Sequence, residues 1–371
     1  MAVPTSFAIE RWAIQQAWPR VRPRIVVAAL LLLLLLVGRE GCPAAAPVLR
    51  RHVPILCYVE TLFGDVTPEQ IDFRPCTHVI DAFLLVDASG ALKPTNALPR
   101  NRVIAAARRA GAKPMVAVGG STVPGATFSL LTRDAFRLER FVRELSEFVA
   151  RSGYEGVDLD WEFPTPAESQ LHLTLSRAIR KALANTAAFD SKRAVISVPV
   201  AAYWLPSYDF AGLTDVVDYI ILMGYDFHNP ALGPWSNTEK LWQVDSVSPI
   251  ESSVRGAARE IVRHGLAADK LVIALPMYTS SHQPWASVRD RVLSASSPLH
   301  GDYLEKHIDG VWVNDPEAFE QKINAALTRR EILGYNAGGI GLWQLGHQGA
   351  HRDLTEAVLR SVARSVQHHS P

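Results

Sequence analysis

The chain has 371 residues, with 38 Lys and Arg against 37 Asp and Glu. That balance removes the electrostatic case for nucleic acid or an anionic membrane surface as the main partner. Hydrophobic residues make up 48% and charged residues 20%, enough for a sizeable core in one large domain or two ordinary ones.

Residues 25–37 read IVVAALLLLLLLV, an unbroken apolar run. Arg20, Arg22 and Arg24 precede it, and Ala44 to Ala46 follow. A basic start, apolar middle and small-residue exit is the layout of a secretory signal peptide. As a helix the run is only about 20 Å long, short of the roughly 30 Å hydrocarbon core of a bilayer. Residues 1–46 are therefore expected to be a signal peptide, with a signal anchor as the alternative; 25–37 is the one stretch expected to touch a membrane. Either way the bulk of the chain faces the secretory lumen or the outside. In that oxidising setting Cys57 and Cys76 can pair across a short loop, two free buried cysteines being the alternative. Cys42 leaves with the leader or stays as an odd thiol.

From about residue 50 to 363, short apolar runs alternate with longer stretches of helical spacing. The runs are VPILCYV (53–59), HVIDAFLLV (78–86), KPMVAVGG (113–120), GVDLDWEF (156–163), AVISVPV (194–200), DYIILMGY (218–225), KLVIALPMY (270–278) and GGIGLWQLG (338–346). The helical stretches include 100–110, 134–152, 167–185, 251–264 and 316–333. In 134–152, Phe136, Phe141, Leu145, Phe148 and Val149 are expected on one face, with Gly153 ending the helix. Nearly continuous hydrophobic strands separated by helices imply a parallel sheet covered by helices. Eight such units predict an α/β fold, a (β/α)8 TIM barrel. The longest gap, about 279–312, reads as a short insertion or small subdomain before the eighth strand. The tail, 364–371, is expected to fray.

The fourth run carries the chemistry. In GVDLDWEFP, Asp158, Asp160 and Glu162 alternate with Val157, Leu159 and Trp161. On a strand that alternation sends the apolar set to the helix layer and the acids into the barrel. Glu162 comes last, at the C-terminal rim where barrel enzymes keep their active sites. Three acids in a low-dielectric interior cannot all ionise cheaply. Glu162 is expected to keep its proton near neutral pH and to act as a general acid. Two other readings use the same residues: oxygen ligands for a divalent cation, or ion-paired structural acids at a barrel end.

GYEGVDLDWEFP resembles the Asp-Gly-x-Asp-x-Asp-x-Glu signature of family-18 glycoside hydrolases, the chitinases and chitinase-like proteins. KPMVAVGG is similar to that family's third strand, LMGYDFH to its sixth and GLWQLG to its eighth. Cys57-Tyr58 and Cys76-Thr77-His78 look like the first two strands of animal members. The resemblance runs from about residue 52 to 360 and implies a hydrolase of β-1,4-linked N-acetylglucosamine polymers or oligomers. It implies that Glu162 protonates the glycosidic oxygen while the substrate's own N-acetyl oxygen attacks, the substrate-assisted route. Asp160 then orients the acetamido group, Asp158 shares a proton with Asp160, and Tyr225 bonds the acetamido carbonyl. Asp226 and Met223 line the pocket, Trp343 is its floor, Tyr278 lies on the rim, and Tyr58 and Phe83 touch substrate. No cofactor or metal is implied. The partner expected is chitin or a chitooligosaccharide, bound by a secreted monomer. A non-catalytic sugar-binding relative and a hydrolase of another N-acetylated glycan are the alternatives.

The chain departs from the pattern at several positions. Glu155 replaces the first Asp of the signature. Ala117 replaces a Ser whose hydroxyl ordinarily supports Asp158, a change expected to weaken proton sharing with Asp160 unless Tyr58 compensates. Asp81 stands where an aromatic residue is common, and Gly224 where Thr is. Residues 346–349 lack the acids common in animal chitinases.

Overall fold

The computed structural model describes residues 53–367 except 61, 63–65, 94–97, 190–192, 228–231, 233–234, 236–252, 302 and 329–334. The leader 1–46, Cys42, the start of the helix expected at 251 and the last residues of the tail lie outside that set.

Twelve strands are described: β1 Ile55–Val59, β2 His78–Val86, β3 Leu92–Lys93, β4 Lys113–Gly119, β5 Gly156–Asp160, β6 Val195–Ala201, β7 Tyr219–Met223, β8 Leu271–Pro276, β9 Leu299–His300, β10 Glu305–Ile308, β11 Val311–Val313 and β12 Gly339–Trp343. Eight of them pair in parallel in the order β1-β12-β8-β7-β6-β5-β4-β2, and β2 pairs back onto β1. The sheet closes into a (β/α)8 barrel, and every apolar run expected to be a strand supplies one of its staves. β3 adds to β2 antiparallel.

Each stave is buried on both faces, which is why its sequence reads as an apolar run rather than an alternation. Ile55, Cys57 and Val59 of β1 pack outward among the helices. Leu56 and Tyr58 point inward, where they meet Ile80, Met115, Val195, Ile221, Val272 and Ala274. Gly224 follows β7 where a Cβ would sit 2.6 Å from the carbonyl of Ala274. The Thr expected from the family pattern would therefore force β7 and β8 apart.

The helix Ala135–Ser152 is capped by Asp134, whose side chain accepts from the backbone N–H groups of Phe136 and Arg137. Gly153 ends it at φ 78°, a conformation glycine adopts without Cβ strain. Phe141, Leu145, Phe148 and Val149 are buried, but Phe136 is 85% exposed. Its expected place on the same face was wrong: five residues from Phe141, it lies about 140° around the helix.

The segment before β12 folds as the helix Trp285–Ser294 and a small antiparallel sheet, β9-β10-β11. Two devices fasten it. The Lys322 ammonium, on the helix Pro316–Leu327, meets Glu305 of β10 at 2.6 Å, both side chains fully buried. Trp312 and Ser280 exchange two hydrogen bonds of 2.9 Å. Residues 364–367, expected to fray, continue the helix Asp353–Gln367. Ser365 is buried there, and Arg364 is paired with Glu320 at 2.5 Å. Cys57 and Cys76 form a disulfide across 19 residues, with Cα atoms 5.9 Å apart. No described helix is long and apolar enough to cross a membrane.

Candidate functional site

The acidic run does not stay in strand conformation to Phe163. β5 stops at Asp160, whose carbonyl accepts from Gly120 N–H at 2.9 Å. Trp161 turns outward and stacks on Phe128 at 5.4 Å. Glu162 then returns over the barrel mouth, and the following peptide bond to Phe163 is cis.

Beneath it, Asp158 is fully buried. Tyr58 Oη donates to one of its carboxylate oxygens at 3.0 Å, and Ser197 Oγ to the other at 2.5 Å. The register explains the second donor. Asp158 lies between Ala117 of β4 and Ser197 of β6, so the hydroxyl missing on one neighbouring strand is supplied by the other. Burial pushes the Asp158 carboxyl up to about 7, against the pull of those two hydroxyls.

Asp160 is 4% exposed, and its Oδ1 has no hydrogen-bond partner among the described residues. Burial, then the negative charges of Glu162 and Asp158, hold it well above the ordinary carboxylate range. Burial also raises Glu162, reinforced by Asp226 and Glu60 and opposed by the backbone N–H of Ser121. No cation pairs with any of these three acids among the described residues. No described cluster of three His, Cys, Asp or Glu is arranged to hold a metal ion.

The acids open into a cavity of about 240 Å³. Asp160, Glu162, Tyr225, Asp226, Met223, Tyr58 and Trp343 all line it. Trp343, at the end of β12, meets Tyr58 edge-on at 5.2 Å and Phe83 at 5.9 Å. Phe83 backs the indole without lining the cavity. Tyr278 does not stand on the rim: it is buried, and its hydroxyl is engaged at 2.8 Å by Asp226 Oδ1. It supports the wall rather than forming it.

Several contributors were not read from the sequence, Pro199 and Ala201 of β6 among them. Ser197 has no local motif; only its inward parity with Val195 and Pro199 on β6 could have found it. Phe163, Tyr203 and Ser121 line the cavity just past the strand ends, Tyr203 from the 3-10 turn Ala202–Ser207, where alternation no longer sets direction. Of the departures from the family pattern, Glu155 sits at the start of β5, near Arg108 and at the opposite end of the barrel from Glu162. Asp81 faces outward, paired with Arg100.

Comparison with known proteins matches residues 54–347 to glycosyl hydrolases family 18. Similar curated proteins include Probable chitinase 10 of Drosophila melanogaster, 26% identical over 71% of this chain and 12% of its own length. Another is Chitotriosidase-1 of Mus musculus, 28% identical over 58% of this chain and 49% of its own. The chain thus spans about half or less of the curated relatives it matches. Among solved structures, the Ostrinia furnacalis Group IV chitinase superposes with a TM-score of 0.68 at 19% identity, over 85% of this chain and all of that one. A chitinase-like agglutinin from Robinia pseudoacacia superposes at 0.67 and 18%, over 83% and 99%. At such identities the structures speak for the fold.

Proposed function

The chain belongs to glycosyl hydrolase family 18, and from that premise we propose that it hydrolyses β-1,4-linked N-acetylglucosamine chains by a substrate-assisted, retaining route. The observation that carries the reading is the pair at the mouth: Glu162, its carboxyl raised by burial and by like charges, above an Asp160 oxygen with no partner among the described residues.

In this reading one sugar ring lies on Trp343 with its acetamido group turned down toward Asp160. The unpartnered oxygen accepts the acetamido N–H, and the Tyr225 hydroxyl donates to the acetamido carbonyl from the cavity wall. The carbonyl oxygen attacks the anomeric carbon as Glu162 protonates the departing oxygen. Glu162, now a carboxylate, takes a proton from the water that opens the oxazolinium ion, and the original configuration returns. Orientation of an internal nucleophile supplies several kcal/mol in such reactions. Asp158, steadied by Tyr58 and Ser197, holds the charge of the pair down while Asp160 changes its protonation. The disulfide supports work in an oxidising compartment, the secretory lumen or the outside.

The test is hydrolysis of a fluorogenic chitooligosaccharide by wild type and Glu162→Gln. The expected result is release by the wild type and a fall of about 10²- to 10⁴-fold in the variant. Equal release by both proteins contradicts the assignment. Binding of chitooligosaccharide by the wild type without cleavage converts the reading to a sugar-binding protein. Cleavage confined to other N-acetylated glycans on a panel replaces the substrate.

A further inference from the structure

In a (β/α)8 barrel a helix follows each strand, but between β1 and β2 the described residues form only turns and bends. The place such a helix would fill lies between the helices Asn101–Arg109 and Asp353–Gln367. A groove of about 530 Å³ opens there. Residues 68–74 form one wall, Ala106, Arg109 and Ala110 a second, and Ala350 and Arg352 a third. The groove shares no lining residue with the cavity at the mouth. Ile71 and Phe73, both buried, and the two alanines of the helix give it an apolar side.

Ion pairs fix the walls and use up the acids. Arg74 holds Asp72 through two hydrogen bonds of 2.7 Å, and Thr355 Oγ1 donates to the same carboxylate at 2.7 Å. These bonds join the first wall to the helix Asp353–Gln367. Arg102 meets Glu69 at 2.5 Å and joins the same wall to the helix Asn101–Arg109. Glu356 is reached by Arg74 at 3.4 Å. Each carboxylate at the groove therefore has a guanidinium. Arg109 and Arg352 are left over: both are exposed, and neither side chain makes a hydrogen bond or ion pair among the described residues. The side-chain carbonyl of Gln70 accepts from Thr67 N–H at 2.8 Å, which orients the amide and leaves its NH2 end free to donate. Three donor groups, two of them cationic, thus share one groove whose walls are already tied in place.

We propose that this groove is a binding site for a sugar that carries a sulfate or phosphate group. The guanidiniums of Arg109 and Arg352 take the tetrahedral oxyanion, whose oxygens match their planar forks. A volume of about 530 Å³ is in the range of small-molecule sites and far more than a bare ion fills. The apolar side, with the Phe73 ring in it, suits the C–H face of a pyranose, and the Gln70 amide donates to a hydroxyl. No group of the groove takes part in the hydrolysis proposed above, so this inference stands or falls independently of it.

The experiment is calorimetric titration of the chain at constant ionic strength, with a thermal melt for each variant. The probes are N-acetylglucosamine 6-sulfate, N-acetylglucosamine 6-phosphate, neutral N-acetylglucosamine, inorganic sulfate and inorganic phosphate. The two sugar esters are expected to bind, the tighter of them identifying the anion, and the neutral sugar to bind at least about ten-fold more weakly. Arg109→Gln and Arg352→Gln each weaken the ester about 10- to 100-fold, and the double variant loses it, with the melting temperature of the wild type. Gln70→Glu, which sets a repelling carboxylate beside the two guanidiniums, weakens it as well. An ester that binds no tighter than the neutral sugar overturns the proposal. So does binding that survives in the double variant, since the ligand then sits elsewhere, the mouth included. Inorganic sulfate or phosphate binding as tightly as its sugar ester overturns the sugar as ligand.

Discussion

Two sets of buried carboxylates, one in the barrel and one in the insertion, are treated in opposite ways. Glu305, in the insertion, is met by the Lys322 ammonium at 2.6 Å with no solvent on either group. Inside the barrel, Asp158 is met by two hydroxyls, and Asp160 Oδ1 has no partner among the described residues. A cation compensates the charge of a buried acid and gives it a structural partner. Hydroxyl donors and burial leave the proton exchangeable. The first arrangement fastens a subdomain; the second keeps a set of acids ready to trade a proton, at a standing cost in stability.

The largest stability effect expected from this contrast is at the paired site. Lys322→Met leaves Glu305 in the interior without that countercharge and costs about 3–5 kcal/mol, whereas Lys322→Met with Glu305→Leu recovers most of it. Chemical denaturation of the two variants checks this. A single variant as stable as the wild type would show that the ion pair fastens nothing.

Ser197→Ala, at the unpaired site, gives a smaller effect. It removes one of the two donors that hold Asp158 as a carboxylate, so stability above neutral pH falls by about 1.5–3 kcal/mol. Ala117→Ser in the same background returns part of it, since Asp158 faces both positions. If the loss is the same at pH 4, where the carboxyl is protonated, the hydroxyl serves packing rather than charge.

The contrast also marks what the sequence could disclose. The paired strand runs, the capped helix at 135–152 and the inward trio of acids follow from local periodicity, and local periodicity is written in the chain. Glu305 and Lys322 are 17 residues apart with no motif joining them. Arg100 is 19 residues from Asp81 and 40 from Glu60. Ser197 meets Asp158 only because β5 and β6 are neighbours in register. Such pairs are fixed by closure of the barrel, which no window of residues contains. Where a strand ends is equally hidden: GVDLDWEF continues its alternation past Asp160, but the backbone turns there, and Glu162 and its neighbour Phe163 both reach the cavity. Family resemblance located the cavity residues Tyr225, Met223 and Trp343, which carry no signal of their own. It misplaced Tyr278 because a conserved motif does not record which way a ring faces.

The most direct test of the unpaired acids is the stability of wild type and Asp158→Asn as a function of pH. Asp158 is raised from an ordinary 3.8 to about 7 in the fold. The folded state therefore binds more protons than the unfolded chain between those values, and stability must fall as pH rises through that window. Asp158→Asn removes the effect. The difference in unfolding free energy between variant and wild type is expected to grow in the variant's favour by a few kcal/mol from pH 4 to pH 7, then to level off. A difference that stays flat across the window, or that grows in favour of the wild type, would mean that Asp158 is an ordinary stabilising carboxylate and that the barrel holds no store of exchangeable protons.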